Sequence, residues 1–338
     1  MIPLSRELND AIARDGPKVL VTVARVKGSS PRAAGTKMVV WQDGFSGTIG
    51  GGNLEHVTLD KARALLSAGP GTRAVLSEIP LGPSLGQCCG GSVLLLFEPL
   101  GPGAPPWAAD LAEASESEGC HLLATRVGPD GSDKQVVSDG GLAQVGFEGP
   151  ALRAAGRLLE GDGCRVVKAG KEETLVLESL ADRRPAVLLF GAGHTGRALA
   201  PLLGSLPFRV FWIDERPSEF PDELPKDVRI RAVAEPQGEV DQAPSGALYL
   251  VMTHSHQRDF ELCARVLSRG DFAYLGLIGS ATKRARFEHR FREGGLDEAT
   301  IARMTCPIGI AGITGKDPAE IAVAVAAQLL QIGQEATP

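Results

Sequence analysis

Three glycines in the second half of the chain have the spacing of a phosphate-binding turn. Gly191, Gly193 and Gly196 directly follow an apolar run, with His194 among them, and Asp214 ends the next apolar run. The first glycine permits a tight bend, the second lets a phosphate approach the backbone, and the third permits close helix packing. The helix that follows favours an anion at its N-terminus, and an aspartate placed here can accept from a ribose diol. The pattern predicts a nucleotide-type fold, with a bound dinucleotide or a purely structural turn as alternatives.

A pair of histidines, His254 and His256, lies where the apolar run ALYLVM ends, with Asp259 just beyond. Open α/β sheets bind ligands at the carboxyl ends of their strands, so these imidazoles are candidate binding groups. A third and fourth ligand at a recognisable spacing are missing, and we therefore expect no dedicated zinc site. Capping or hydrogen bonding of the loop is the structural alternative.

The first part of the chain contains a run of three glycines, Gly50, Gly51 and Gly52, ahead of a helical pattern that Asn53 could cap. Consecutive backbone N-H groups in such a loop can hold an anion. A plain tight turn explains the run equally well.

Two adjacent cysteines, Cys88 and Cys89, precede Gly90 and Gly91. Neighbouring thiols do not easily bridge each other, and the glycines let a bulky ligand come close. A thiolate there could bind a soft metal, whereas small buried cysteines are the alternative.

Two regions of different pattern must position these residues, and together they predict an α/β protein. In the first hundred residues, short strands surround one helix, and Asp43-Gly44 is a hairpin signal. From Pro185 onward, apolar strands alternate with helices, as a doubly wound parallel sheet requires. We predict an N-terminal α+β domain over 1–180, with a core of 1–100 and a middle segment of 101–180, and a Rossmann-like C-terminal domain over 185–338. Residues 101–118 are expected to be a boundary or exposed connection, and the last helix is expected to begin at Asp317-Pro318.

Composition limits the classes of protein that this chain can belong to. Its 338 residues suffice for two domains, and a net charge of −6 provides no basic field for nucleic acid. Charge interrupts the opening segment from Arg6, and no apolar run approaches the ~20 residues of a membrane span. The six cysteines show no repeated CxxC spacing. We therefore expect a cytoplasmic protein with reduced thiols and neither nucleic acid nor membrane as a partner.

Eight segments, in order along the chain, resemble the XdhC/CoxI family of molybdenum-cofactor maturation proteins. They are GSSPRAAGTKMVV, GTIGGGNLEH, GQCCGGSV, LLFGAGHTGRALA, WIDERPSEFP, MTHSHQRDF, GLIGSATKRARF and CPIGIAGITGKDPAEIAVAVAAQLL. Residues 101–180 contribute almost nothing to the resemblance.

The resemblance implies a chaperone rather than an enzyme. Such a protein binds molybdenum cofactor in its molybdopterin form, protects it while a cysteine desulfurase supplies its terminal sulfur, and passes it to apo xanthine dehydrogenase. It implies Cys89 as a cofactor-binding residue, Cys88 as its neighbour, Gly50–Gly52 and the Gly191 turn as candidates for the pterin phosphate, and a homodimer.

Two other functions compete with this interpretation. One is an NAD(P)-dependent oxidoreductase that uses the glycine turn and Asp214, with His254 or His256 as acid or base. The other is an interaction scaffold whose acidic surface meets the dehydrogenase.

Overall fold

The computed structural model describes residues 6–69, 72–82, 90–116, 119–129, 131–142, 145–161, 163–223 and 228–335. The chain divides into two compact units, Met1–Arg183 and Arg184–Pro338.

The first unit contains a five-stranded antiparallel sheet in the order β3-β2-β1-β5-β4. Its elements are α1 (Arg6–Ala13), β1 (Lys18–Lys27), β2 (Lys37–Trp41), β3 (Gly44–Gly47), α2 (Gly52–Ser67), β4 (Val75–Leu81) and β5 (Gly91–Leu100). Trp41 pairs with Gly44, which leaves a two-residue turn between β2 and β3 and confirms the predicted hairpin. Leu54 and Ala62 of α2 are buried in the core of this sheet.

A four-stranded antiparallel sheet in the order β7-β6-β9-β8 completes this unit. Its elements are α3 (Pro106–Glu116), β6 (His121–Gly128), β7 (Gly131–Ser138), α4 (Gly149–Glu160), β8 (Cys164–Lys168) and β9 (Thr174–Ser179). The expectation of an exposed connection at 101–118 is wrong, because Trp107 and Leu111 of α3 are buried in one cluster with Leu20 and Val39. Trp107 and Leu111 lie four residues apart and so share one face of α3. That face is enough to bury the helix against the sheet, although the rest of the segment is rich in acidic residues.

Two buried ion pairs join the sheets of the first unit. Lys37 of β2 donates to Glu178 of β9, and Lys134 of β7 donates to Glu98 of β5 at 2.6 Å. All four side chains are at most 5% exposed. Because water barely reaches these side chains, each charge is stabilised by its ion-pair partner instead.

The second unit is a six-stranded, all-parallel sheet in the order β12-β11-β10-β13-β14-β15. Its elements are β10 (Ala186–Phe190), α5 (His194–Gly204), β11 (Arg209–Asp214), β12 (Val228–Ala232), α6 (Gln237–Gln242), β13 (Leu248–Val251), α7 (His256–Arg269), β14 (Tyr274–Leu277), α8 (Ala281–Glu293), α9 (Glu298–Ala302), β15 (Met304–Thr305) and α10 (Pro318–Glu335). Along β10, Leu188 and Phe190 enter one core with α7 and α8, whereas Val187 and Leu189 enter another with α5 and α10. This arrangement confirms the doubly wound, Rossmann-like sheet, with the strand order reversing between β10 and β13.

The final helix, α10, begins where the sequence predicts. Ala319 N-H donates to Asp317 Oδ1 at 2.8 Å, so Asp317 caps the helix, and Pro318 is its first residue. At 18 residues, α10 is longer than the other helices of the described ranges. None of the helices in those ranges combines the length and the apolar character that a membrane crossing requires.

Candidate functional site

Two of the three glycines in the turn after β10 are required by packing within the chain. Gly191 has φ of +118°, and a Cβ there would lie 2.3 Å from Met252 O. A Cβ on Gly196 would lie 2.1 Å from Gly191 O. Trp212 Nε1 also donates to Gly191 O at 3.0 Å, which ties the turn to β11. Gly191 therefore permits the bend, and Gly196 permits the helix to pack against it.

Gly193 is different, because nothing in the described chain requires a glycine there. Its φ of −72° suits any residue, and a Cβ would meet no atom within 4 Å. Gly193 is also the N-cap of α5, and no described side chain caps that helix. His194, the first residue of α5, is exposed. The second glycine of the turn thus faces open space beside uncapped N-H groups, where a ligand could approach.

Asp214, at the end of β11, is held entirely by its own chain. Its Oδ2 accepts from Ala192 N-H at 2.7 Å and from Arg216 Nη2 at 3.0 Å. Its Oδ1 accepts from Arg216 N-H at 2.9 Å and from Arg216 Nε at 3.0 Å. The Asp214 side chain is 3% exposed. We name this arrangement of Asp214, Arg216 and the Ala192 amide the Asp214 clamp.

The clamp keeps the Asp214 carboxyl ionised. Burial raises the pKa of Asp214, but the hydrogen bonds from Arg216 and from the Ala192 amide outweigh it and hold the pKa below its usual value. The same bonds to Asp214 raise the pKa of Arg216. The pair is therefore charged at neutral pH.

The loop after β13 is fixed by a second buried carboxylate, that of Asp259 in α7. Asp259 Oδ1 accepts from Thr253 N-H at 2.9 Å and from Thr253 Oγ1 at 2.7 Å, and its Oδ2 accepts from Lys283 Nζ at 2.6 Å. Lys283 Nζ also donates to Ile278 O at 2.8 Å, after β14. This network links the carboxyl ends of two neighbouring strands and positions the residue before His254.

The two candidate histidines occupy different places. His254 Nε2 lies 3.5 Å from Glu215 Oε1, and Glu215 Oε2 accepts from Arg258 Nη2 at 2.6 Å. His256 is the first residue of α7, which Ser255 caps by accepting from Arg258 N-H at 3.3 Å. His254 thus belongs to a charged cluster at the edge of the sheet, whereas His256 is an exposed helix residue.

A cavity of about 400 Å³ lies where the strand order reverses. It brings together the turn after β10, residues that follow β11 and the loop after β13. Its lining residues are Gly193, His194, Thr195, Gly196, Arg197, Arg216, Glu219, Met252, Thr253 and His254. Gly193, His194, Gly196 and His254 therefore meet in one site, while Asp214 lies behind Arg216 and His256 is not part of the lining.

Glu219 connects the two arginines of this cavity. Arg197 Nη2 donates to Glu219 Oε2 at 3.1 Å and to Glu219 O at 2.7 Å, and Arg216 Nη1 lies 3.5 Å from Glu219 Oε1. Neither Glu219 nor Arg216 is among the candidate residues that the sequence predicts. The position of Arg216 two residues after Asp214 was the available signal.

In the first unit, the three glycines that lead into α2, the last of which is its first residue, all have positive φ. Gly50, Gly51 and Gly52 have φ of +127°, +74° and +61°. Glu55 of α2 folds back on this loop, since its Oε2 accepts from Thr48 Oγ1 at 2.6 Å and from Ile49 N-H at 3.3 Å. A Cβ on Gly51 would meet nothing within 4 Å. The Glu55 carboxylate therefore contacts the loop at Thr48 and Ile49, and the backbone is open to a ligand at Gly51.

Two of the candidate segments of the first unit converge on the loop 28–32. Ser29 forms a bridge with Gly90, and a Cβ on Gly91 would lie 2.4 Å from Ser29 O. Two residues further, Pro31 packs against Gly50, where a Cβ would lie 2.5 Å from Pro31 Cγ. The chain thus places the glycines that follow the cysteine pair beside the loop that contacts the triple-glycine run.

Cys88 and Cys89 lie outside the described residues. Four cysteines within the described ranges are free, namely Cys120, Cys164, Cys263 and Cys306. Across those ranges, no group of three or more His, Cys, Asp or Glu side chains is placed to hold a metal ion.

Two family models match the chain in its two units. The model described as XdhC Rossmann domain matches residues 187–329, and the model described as XdhC and CoxI family matches residues 11–76.

Curated relatives match about half of this chain. A protein of Escherichia coli K12 named uncharacterized protein YqeB is 30% identical over 48% of this chain and 30% of its own length. A Bacillus subtilis 168 protein, named as a probable subunit of xanthine dehydrogenase, is 32% identical over 44% of this chain and 43% of its own length. The matches therefore span less than half the length of either relative.

A crystal structure described as a xanthine dehydrogenase from Bacillus halodurans has the same fold. It superposes with a TM-score of 0.67 at 20% identity and covers 98% of this chain and 96% of that one.

Proposed function

This chain belongs to the XdhC and CoxI family, and from that membership we propose that it is a maturation chaperone for xanthine dehydrogenase. Its cargo is molybdenum cofactor in the molybdopterin form. It protects the cofactor while a cysteine desulfurase supplies the terminal sulfur, and it delivers the product to the apo dehydrogenase. The B. subtilis relative, whose name refers to xanthine dehydrogenase, supports that choice of partner.

The observation that carries the proposal is the convergence on the loop 28–32 in the first unit. Gly90, the residue after Cys89, pairs with Ser29, and Pro31 contacts Gly50. A Cβ on Gly90 or on Gly51 would meet nothing within 4 Å, so both segments border open space. Cys89 directly precedes Gly90 in the sequence, and at Gly90 a bulky ligand can approach the backbone.

Cysteine chemistry suits this cargo. The thiolate is the form of cysteine that binds metals, and it is a soft ligand. Cys89 is the residue we assign to cofactor contact, with Cys88 beside it. We assign the Gly50–Gly52 run to an anionic part of the cofactor, through the N-H groups of Gly51 and Gly52, because Gly50 N-H already donates to Thr48 Oγ1 at 3.1 Å.

The first experiment follows cofactor binding directly. Purified protein is incubated with molybdopterin cofactor and passed over a gel-filtration column, and molybdenum and pterin fluorescence are measured in the protein peak. We expect about one cofactor per chain for wild type and a loss of at least tenfold for Cys89→Ala. Cys120→Ala is the matched control, since Cys120 is an exposed free cysteine elsewhere in the same unit.

Two results would contradict the proposal. Undiminished cofactor and full dehydrogenase maturation with both Cys88→Ala and Cys89→Ala would remove the thiolate from the mechanism. Failure of wild type to bind cofactor, with binding of NAD(P)H instead, would favour the oxidoreductase. Co-elution with apo dehydrogenase and with a cysteine desulfurase tests the two partners, and light scattering tests the homodimer.

A further inference from the structure

Two buried threonines of the first unit, Thr22 of β1 and Thr125 of β6, have hydroxyl groups without a hydrogen-bond partner among the described residues. Both residues are 0% exposed. Oε1 of Glu178, in β9, is likewise buried and unpartnered within the described ranges, although its Oε2 accepts from Lys37. Buried polar atoms in native proteins nearly always bond to the chain or to ordered water. Three such atoms in one unit therefore indicate a partner that is not part of these strands.

The strand registers place both threonines beside the buried ion pairs. In the first sheet, Thr22 pairs directly with Lys37 of β2. In the second sheet, Thr125 pairs directly with Lys134 of β7 and is a diagonal neighbour of Glu178 across β6 and β9. Residues that pair directly project from the same face of a sheet. Each threonine hydroxyl therefore lies on the face that carries a buried lysine.

The ion pairs bring the two threonine strands opposite each other. Lys37 of β2 contacts Glu178 of β9, and Lys134 of β7 contacts Glu98 of β5. In the first sheet β1 lies between β2 and β5, and in the second β6 lies between β7 and β9. Because the outer strands of each trio contact across the gap, the middle strands β1 and β6 face each other.

A buried apolar cluster next to the threonines supports this arrangement. Ala24 of β1 and Val127 of β6, each two residues beyond a threonine and hence on the same face, lie in that cluster together. Packed sheets are about 10 Å apart, which is too far for two facing threonine hydroxyls to bond directly but suits two hydrogen bonds in series. One small molecule with both donors and acceptors fits between them.

We infer that one water molecule is bound between the two sheets of the first unit, where it accepts from the hydroxyls of Thr22 and Thr125 and donates to Oε1 of Glu178. Buried waters typically make about three hydrogen bonds, and these three oxygens provide that number. Each bond has one donor and one acceptor, because the hydroxyls donate and the carboxylate accepts. The water extends the Lys37–Glu178 pair to both middle strands and so holds the two sheets together. The inference is independent of the proposed function.

A high-resolution crystal structure of the full chain tests the site directly. We expect a water about 2.8 Å from each of Thr22 Oγ1, Thr125 Oγ1 and Glu178 Oε1. Valine matches threonine in shape but has no hydroxyl. The double variant Thr22→Val with Thr125→Val should therefore lose this water while it keeps the fold.

Urea unfolding measures what the water contributes. In a Trp212→Phe background, Trp41 and Trp107 both report on the first unit. Thr22→Val should lower the ratio of folded to unfolded protein about tenfold, because it removes one hydrogen bond and leaves the water with fewer buried partners. Thr125→Val should act alike. Together the two should cost much less than about a hundredfold, since both act on the same water.

Thr58→Val is the matched control. Thr58 is also 0% exposed and belongs to the same unit, but its hydroxyl donates to Leu54 O at 2.7 Å. Its effect should add in full to that of Thr22→Val, and the water should remain in its crystal structure.

Three results would overturn the inference. One is a wild-type structure without a water bonded to these three oxygens. Another is a pair of single variants, Thr22→Val and Thr125→Val, that are as stable as wild type or more stable, because replacing an unpartnered hydroxyl by a methyl group is favourable. The third is strictly additive losses in the double variant, which would show that the two hydroxyls share no partner.

Discussion

The buried pair of Asp259 and Lys283 provides a quantitative test of what stabilises the carboxyl ends of β13 and β14 in the second unit. Asp259 is 0% exposed as a residue, and the Lys283 side chain is 12% exposed, with 2.6 Å between Oδ2 and Nζ. Removing one partner of a buried pair costs about 3–5 kcal/mol, because the other charge is left without compensation. We expect Lys283→Met to lie at the upper end of that range, since the abandoned carboxylate cannot reach water.

Asp259→Asn should cost less than Lys283→Met. The asparagine keeps an oxygen that can accept from Thr253 N-H, and the Lys283 ammonium has some access to solvent. The double variant removes both charges and should be more stable than the sum of the single losses predicts by about 2 kcal/mol or more.

Urea unfolding monitored by Trp212 fluorescence measures these differences. Trp212 is the tryptophan of the second unit, and Trp41 and Trp107 belong to the first. A background with Trp41→Phe and Trp107→Phe therefore reports on the second unit alone, which avoids treating a two-unit chain as one transition. Single variants within about 0.5 kcal/mol of the background, or strictly additive losses, would show that this pair does not stabilise the sheet edge.

Three other predictions follow from particular contacts. Gly196→Ala should destabilise the second unit by about 1–3 kcal/mol, because its Cβ would lie 2.1 Å from Gly191 O, and a thermal melt on Trp212 checks this. Because the pKa of Asp214 is lowered on folding, its contribution to stability is complete above the usual aspartate pKa of about 4 and is lost as the pH falls through the folded pKa. The stability difference between wild type and Asp214→Asn, from urea unfolding at several pH values, should accordingly be largest near neutral pH and shrink below about pH 4. Lys37→Met should cost the first unit about 3–5 kcal/mol, with partial recovery when Glu178→Leu is added, as followed by unfolding on Trp41 and Trp107 fluorescence.

Much of the second unit could be predicted because its signals are local. Buried parallel strands appear in the sequence as continuous apolar runs, and the close packing of Gly196 against Gly191 involves residues only five positions apart. The cap of α10 at Asp317 is likewise a short-range contact. The prediction of an exposed connection at 101–118 was wrong for the opposite reason. The burial of Trp107 depends on contacts with sheet residues that are far away in the chain.

The sequence by itself determined the fold of the second unit, the glycine turn and the family, since each depends on residue types in a short, ordered pattern. Only the tertiary structure decided the partners of the polar groups. It showed that Arg216 saturates Asp214, that Lys283 neutralises Asp259 from 24 residues away, and that Ser29 meets Gly90. An aspartate looks the same in the sequence whether or not its carboxylate oxygens accept hydrogen bonds in the folded chain. Only folding brings the donors within hydrogen-bonding distance of those oxygens.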